Sequence, residues 1–297
     1  MPPPDAGHHD GNGEVHSYGA PHPLLLEPLV RRALEEDLGR AGDLTTDLLI
    51  PSGRTARAAI VAREGGVVSG LVAAEIAFRL IDAGVQIHHD KEDGEPVSAG
   101  TTIASLEGPA RAILTAERVA LNFLGHLSGV ATSTHALVSR IAGTKARIIC
   151  TRKTIPGLRL LQKYAVRCGG GLNHRFGLDD AILVKDNHIA AAGGLAAVMS
   201  RLKNQLGPMV KVEVEVDTLD QLDEALALGF DAILLDNMSV AVMRQAVEMT
   251  RGRAKLEASG GITLDRVRAI AETGVDFISS GALTHSVRSL DLGMDFL

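Results

Sequence analysis

Six short apolar runs constrain what this chain can fold into more than any other feature. Each run closes on polar residues and is followed by a stretch of helical periodicity. They begin at residues 148, 181, 210, 232, 254 and 276, at intervals of 33, 29, 22, 22 and 22. Their ends carry Thr151, Arg152 and Lys153, then Lys185, Glu215, Asp236 with Asn237, Ser259 and Ser280. Continuous apolar strands that alternate with helices are buried on both faces and are joined by right-handed crossovers, so they belong to a parallel sheet. Their regular repetition predicts an α/β protein with a (β/α) barrel of about six units, whose chemistry gathers where the strands end. A doubly wound sheet is the alternative, but the early GxGxxG turn that often marks it is absent.

Ahead of the repeats the pattern changes. Residues 1–23 are rich in Pro, Gly and His (His8, His9, His16 and His22) without an apolar segment, and they read as a disordered tail. LLLEPLVRRALEEDL (Leu24 to Leu38) has helical spacing and stops at Gly39. GDLTTDLL (Gly42 to Leu49) reads as a polar turn leading into an extended segment ending at Pro51. Short β-like runs at 56–63, 66–69, 85–88 and 101–106 flank a helix over 71–83, which predicts a small α/β sandwich. A helix follows from Leu114 to about Ser128. The expected division is therefore a tail (1–23), a sandwich domain (24–128, completed by 288–297) and a barrel (129–287).

The chain carries 30 basic and 36 acidic residues, a formal charge of −6. Against that background Arg152, Lys153, Arg159, Lys163, Arg167 and Arg175 fall within 25 positions, with Lys185 ten further on. A cationic cluster inside an acidic protein points to a small polyanion held at one place, whereas nucleic acid calls for a broad basic surface. The absence of Trp removes a base-stacking platform as well. Arg159, Lys163 and Arg167, spaced i, i+4, i+8, fit a solvated helix face as well as they fit the cluster. No apolar run approaches the roughly 20 residues of a membrane span. Two cysteines fit a reducing, cytoplasmic compartment, and Cys168 reads as a small buried filler before a nucleophile.

If the strands close a barrel, Arg152, Lys153, Lys185, Glu215, Asp236, Ser259 and Ser280 converge on one mouth. ASGGIT (Ala258 to Thr263) and SSGALTHS (Ser279 to Ser286) each set small residues before a helix, so that bare N–H groups face a phosphate. Glu215 and Asp236 suit Mg²⁺ or, equally, ribose hydroxyls. Phosphoryl or glycosyl transfer fits this set. A Schiff-base aldolase using Lys185 or Lys153 competes with it, but the phosphate apparatus argues against that reading.

Five motifs, TAERVALNFLGHLSG, TRKTIPGLRLLQKYAVRCGGGLNHRFGL, LVKDNHI, VEVEVD…LLDN and ASGGI…GALTHS, resemble in order and spacing those of the quinolinate phosphoribosyltransferases. The resemblance runs from about Leu24 to the end. It implies an N-terminal sandwich, an open barrel, and Mg²⁺-dependent transfer of phosphoribosyl from phosphoribosyl pyrophosphate to quinolinate, with CO₂ lost and nicotinate mononucleotide formed for NAD biosynthesis. It implies that Arg152, His174, Arg175 and Lys185 bind the quinolinate carboxylates. Lys153 and Lys185 would meet the donor's phosphates, and Glu215 and Asp236 its ribose hydroxyls and the magnesium; these four are the catalytic set. Ser259, Gly260, Gly261, Ser280, Gly281 and His285 would line the 5-phosphate end. Arg118, a plain helix-surface charge by its local sequence, would reach a neighbouring subunit's site, making the working unit a homodimer. A nucleotide sensor with a dead site would be expected to lack Lys153, Lys185, Glu215 or Asp236, and none is missing.

Overall fold

The computed structural model describes residues 19–297, so most of the expected tail, with His8, His9 and His16, lies outside the described residues. The first half runs α1 (Pro23–Leu38), α2 (Leu44–Leu49), β1 (Thr55–Ala62), β2 (Gly66–Val67), α3 (Leu71–Ile81), β3 (Gln86–His89), β4 (Pro96–Val97), β5 (Thr102–Pro109) and α4 (Ala110–Arg140). In α1 the buried Leu26, Val30 and Leu34 recur every four residues, and His22 Nδ1 accepts from Leu24 N at 3.2 Å at its start. The extended segment expected at 42–49 is instead the helix α2. Asp43 caps it by accepting from Thr46 N at 3.0 Å, and Arg111 of α4 donates to Ile50 O and Asp47 O at 2.7 and 3.0 Å, holding the far end. The arginine contact comes from sixty residues away in sequence, which no local reading supplies.

The second half runs β6 (Arg147–Ile149), α5 (Arg159–Cys168), β7 (Ile182–Val184), α6 (Asp186–Ala192), α7 (Leu195–Gln205), β8 (Val212–Val216), α8 (Leu219–Leu228), β9 (Ala232–Asp236), α9 (Val240–Thr250), β10 (Lys255–Ser259), α10 (Val267–Ala271), β11 (Phe277–Ser279), α11 (Ala282–His285) and β12 (Leu292–Phe296). Six of these strands form one parallel sheet in the order β6-β11-β10-β9-β8-β7. β6 and β7 are its two edges, so the barrel is left open between them. The N-terminal sheet is antiparallel, ordered β12-β1-β5-β3, and the chain's last strand returns to pair with β1.

The helix expected over 114–128 is the middle of the 31-residue α4, which crosses the expected 128/129 division without a break. It packs on α3, β1 and β5 at one end and on α5 and β6 at the other, and one continuous cluster of buried apolar side chains spans both halves, with a smaller one at Val67, Ala131 and Cys168. Gly129 sits inside this helix at a cost in helix propensity because the chain leading to β12 crosses it closely. A β-carbon there would lie 2.1 Å from Arg288 O. Gly129→Ala is expected to destabilise the protein by about 1–3 kcal/mol through overpacking in urea unfolding. An unchanged midpoint would mean that residues 288–290 can back away.

Candidate active site

The strands place their side chains alternately. Val212, Val214 and Val216 of β8, Ile233 and Leu235 of β9, and Leu256 and Ala258 of β10 are buried under the helices. The intervening residues line a cavity of about 680 Å³: Leu183 and Lys185 from β7 and its end, Glu215, Leu234, Asp236, Glu257, Ser259 and Ser279. Register ties them into rows, with Glu215 beside Leu234, Leu234 beside Glu257, Asp236 beside Ser259 and Ser259 beside Ser279. A two-residue period thus delivers an apolar outer face and a polar mouth from the same strands.

Arg152, Lys153, His174 and Arg175 reach this cavity from the chain between β6 and β7. That chain fills the open side of the barrel: Leu172 bridges to Ile149, and Arg175 Nη1 donates to Ala181 O at 2.9 Å. Arg175 is held below its ordinary pKa first by burial and then by the positive charge of Arg152. Two guanidiniums therefore repel one another at a place where a doubly charged anion would relieve both. Lys185 forms an ion pair with Glu215 across the mouth. Arg118, exposed on α4, is the one expected site residue that does not line the cavity.

Next to the β6 end that carries Arg152 and Lys153 lie the turns after β11 and β10. Gly260 and Gly261 both have positive φ, +93° and +59°, and a β-carbon on Gly260 would lie 2.1 Å from Asn237 Oδ1. That double left-handed turn delays the helix expected to follow directly: α10 begins at Val267, after Arg266 Nη1 donates back to Gly261 O at 2.9 Å. The first turn therefore offers glycine backbone and no helix end, whereas α11 does follow Gly281 at once. Ser280, Gly281 and His285 complete this wall, with Thr284 Oγ1 donating to Lys153 O at 2.8 Å.

The cavity floor is acidic, which the sequence reading missed. Glu213 and Glu257 are inward residues two positions before Glu215 and Ser259 on their strands. His174 Nδ1 accepts from Arg175 N at 2.7 Å, so its ring proton is on Nε2, 2.7 Å from Glu213 Oε2 and 3.6 Å from Glu257 Oε2. An acid in the middle of an apolar run, as in KLEAS, was the available signal. Burial first, then the charge of Glu213, hold the Glu257 carboxyl well above the ordinary carboxylate range. His174, Glu213 and Glu257 are also the residues that bring three metal-ligand atoms within 4.8 Å of one another. Asn237 at the mouth was seen only as part of a strand end; its φ of +51° and its N–H to Ser259 O at 2.9 Å hold the β9 and β10 turns together.

The i, i+4, i+8 basic face of α5 is not simply solvated. Arg159 Nη1 donates to Phe176 O at 3.0 Å, the Arg167 guanidinium lies 5.7 Å from the Tyr164 ring, and Lys163 is fully buried. Cys150 and Cys168 are both free and buried. Burial, then the charge of Asp93, push the Cys168 thiol up to about 11, which suits a filler and not a nucleophile.

Guanidiniums, lysines, bare N–H turns and carboxylates gathered at one barrel mouth have the chemistry of a group-transfer enzyme acting on phosphorylated substrates. Residues 43–128 and 130–295 match the models for the N-terminal and C-terminal domains of quinolinate phosphoribosyl transferase. Over 272 residues the chain is 46% identical to a probable nicotinate-nucleotide pyrophosphorylase (carboxylating) of Bacillus subtilis, covering 92% of this chain and 93% of that one. A nicotinate-nucleotide pyrophosphorylase of Mycobacterium leprae is also 46% identical, over 90% of this chain and 95% of its own. The solved nicotinate-nucleotide pyrophosphorylase of Francisella tularensis superposes with a TM-score of 0.87 at 43% identity, covering 93% of this chain and 97% of that one. The chain belongs to the quinolinate phosphoribosyltransferase family.

The raised Glu257 pKa carries a test. The folded state keeps a proton that the unfolded chain releases above its ordinary value of 4.5, so this group's stabilisation is complete below that value and is lost as pH rises toward the folded one. Glu257→Gln keeps the shape of the protonated acid and has no proton to lose. As pH rises above Glu257's ordinary value of 4.5, the melting temperature of the wild type should fall more steeply than that of the variant. Parallel slopes would contradict the assignment.

Proposed function

We propose that this protein transfers phosphoribosyl from phosphoribosyl pyrophosphate to quinolinate with decarboxylation, giving nicotinate mononucleotide, pyrophosphate and CO₂ for NAD biosynthesis. The observation that carries this reading is the pairing of Arg152 with Arg175 in one cavity that also holds Lys185 and the phosphate-ready turns. Quinolinate is a planar dianion, and two guanidinium forks grip two carboxylates with a geometry that lysines would not specify. In this reading His174 orients Arg175 and supplies contact surface, because both of its ring nitrogens are already engaged.

Lys153 and Lys185 receive the donor's phosphates, and the Ser259–Gly261 and Ser280–His285 turns take the 5-phosphate. As the bond to pyrophosphate stretches, positive charge grows on the ribose and negative charge on the leaving group. Each well-placed donor at that leaving group is worth about 3–4 kcal/mol. The new bond leaves the pyridine nitrogen positive. When the adjacent C–CO₂⁻ bond breaks, the electron pair stays on the ring carbon as an ylide that this nitrogen stabilises. A proton taken from solvent by that carbon, once CO₂ has left, completes the product. A cavity that excluded water would strengthen both steps.

The oxygen donors of Glu215 and Asp236, one from each of two adjacent strand ends, fit Mg²⁺, which takes a few carboxylates plus water and substrate phosphates. Their present partners, Lys185 Nζ and Asn237 Nδ2, are side-chain groups that such an ion would displace. Magnesium bound there would neutralise phosphate charge. The working unit in this reading is a homodimer, supported by the exposure of Arg118 outside the cavity, from where it would complete the neighbour's site. The free buried cysteines agree with a cytoplasmic setting. No helix among the described residues is long and apolar enough to cross a membrane.

Incubation with quinolinate and phosphoribosyl pyrophosphate should release CO₂ and mononucleotide in equal amounts. Nicotinate, which lacks one carboxylate, should be turned over about 10–100-fold less efficiently, the worth of one charged hydrogen-bonding pair. Equal use of the two acids would contradict the diacid site. Arg118→Ala and Arg152→Ala should each be inactive alone. If sites are shared in a twofold dimer, an equimolar mixture should regain about a quarter of wild-type activity, since half the dimers then hold one intact site. A mixture that stays dead would argue for self-contained subunits.

A further inference from the structure

Two neighbouring polar residues on α5, Gln162 and Lys163, are both 0% exposed, and neither lines the cavity. Burying an amide and an ammonium side by side is unfavourable unless every donor finds a partner, and on stability grounds alone two apolar residues would serve as well. Their partners are informative. Gln162 Oε1 accepts from Ile155 N at 2.9 Å, and Nε2 donates to Thr284 O at 2.7 Å and to His126 Nε2 at 2.9 Å. Burial holds His126 below its usual pKa, which keeps that nitrogen available as an acceptor. One amide thereby ties the loop carrying Lys153 to the helix carrying His285, and Thr284 Oγ1 closes the link through Lys153 O at 2.8 Å.

Lys163 points to the other loop. Its ammonium donates to His174 O at 2.7 Å and to Cys150 Sγ at 3.1 Å, and lies 5.0 Å from the centre of the Phe176 ring. The same loop is pinned again by Asp180, whose carboxylate accepts from Phe176 N and Gly177 N at 2.7 and 2.9 Å. Apart from the one to Cys150, these contacts fall within the segment that presents His174 and Arg175.

We infer that Gln162 and Lys163 are positioning residues, one for each substrate: Gln162 sets the sugar-phosphate wall, and Lys163 sets the loop that grips the pyridine diacid. The division rests on the functional reading above. It follows from where each side chain's hydrogen bonds end: apart from the bond to His126 of α4, Gln162 reaches the Lys153 and His285 elements, whereas Lys163 reaches the Cys150 strand end and the His174–Phe176 loop.

The test is a crossed comparison of full-length variants. Lys163→Met fills the space and leaves His174 O without its donor. It should raise KM for quinolinate about tenfold, the worth of one charge-assisted hydrogen bond, with KM for phosphoribosyl pyrophosphate within about twofold. Gln162→Leu should give the reverse split. Lys163→Gln, which restores a donor without the charge, should recover part of the quinolinate affinity. Should either buried variant fail to fold, Phe176→Leu (removing the ring beside the ammonium) and Thr284→Val (removing the hydroxyl on Lys153 O) probe the same two links from outside α5. They should show the same crossed split at smaller size. Parallel rises in both KM values, tracking the loss in melting temperature, would reduce the pair to structural filler and overturn the inference. So would unchanged constants. A wild type that turned over neither substrate would instead remove the functional reading, and this inference with it.

Discussion

The structure depends on a single geometric constraint: a parallel sheet of six strands that curls toward closure and stops one gap short. Each strand hides one row of side chains under helices and turns the other row inward. The inward rows of β8, β9 and β10 are Glu213 and Glu215, Leu234 and Asp236, and Glu257 and Ser259, so the barrel interior grows polar toward the mouth. The unpaired edges of β6 and β7 must be covered by something, because bare N–H and C=O groups there would be costly if buried. The chain between them supplies the cover, through the Leu172 bridge and the Arg175 contact on Ala181 O. The same chain carries the cations. Closing the barrel's open side and charging its mouth are therefore one structural act.

Charge beneath the site is arranged in layers. Arg152, Arg175, Lys153 and Lys185 line the mouth, Glu257 lies at the floor with Glu213 beside it, and the buried ammonium of Lys163 stands behind the loop that carries Arg175. A floor with two ionised carboxylates would repel an incoming dianion. Burial and the neighbouring Glu213 charge shift Glu257 toward its neutral form, which lessens that penalty, and Glu213 Oε2 accepts the His174 Nε2–H. The arrangement spends little on attraction at long range, since the whole chain is acidic, and concentrates it where walls of low polarity make each charge count.

Much of this was legible in the sequence because it is periodic. The strand runs located all six barrel strands, and the polar residue at the end of each run located the mouth, because parallel strands all point their ends the same way. Glu213, Glu257 and Lys163 were not legible for a common reason. Each is a charged residue whose neighbours in sequence describe one environment while its neighbours in space supply another. Lys163 looked half like a solvated face because helical spacing fixes direction around an axis, not what lies in that direction. The helix α2 was missed because Arg111, far along the chain, holds its end. The late start of α10 was missed because two successive left-handed glycines consume the residues that a helix would have used.

Lys185 shows why the two halves of the proposed reaction must be coupled in space. Its ammonium is paired with Glu215, one of the two carboxylates proposed for the ribose and the ion, and it also faces the cavity that holds Arg152 and Arg175. A diacid entering beside the arginines would compete with Glu215 for that ammonium, and a sugar hydroxyl or an ion at Glu215 would release it. Binding at either side therefore frees a partner for the other. Mutual repulsion between Arg152 and Arg175 acts in the same sense, because it is relieved only when an anion of matching charge arrives. Rigid support then becomes necessary: groups that repel must be held by the fold, and two fully paired polar side chains on α5 supply that hold.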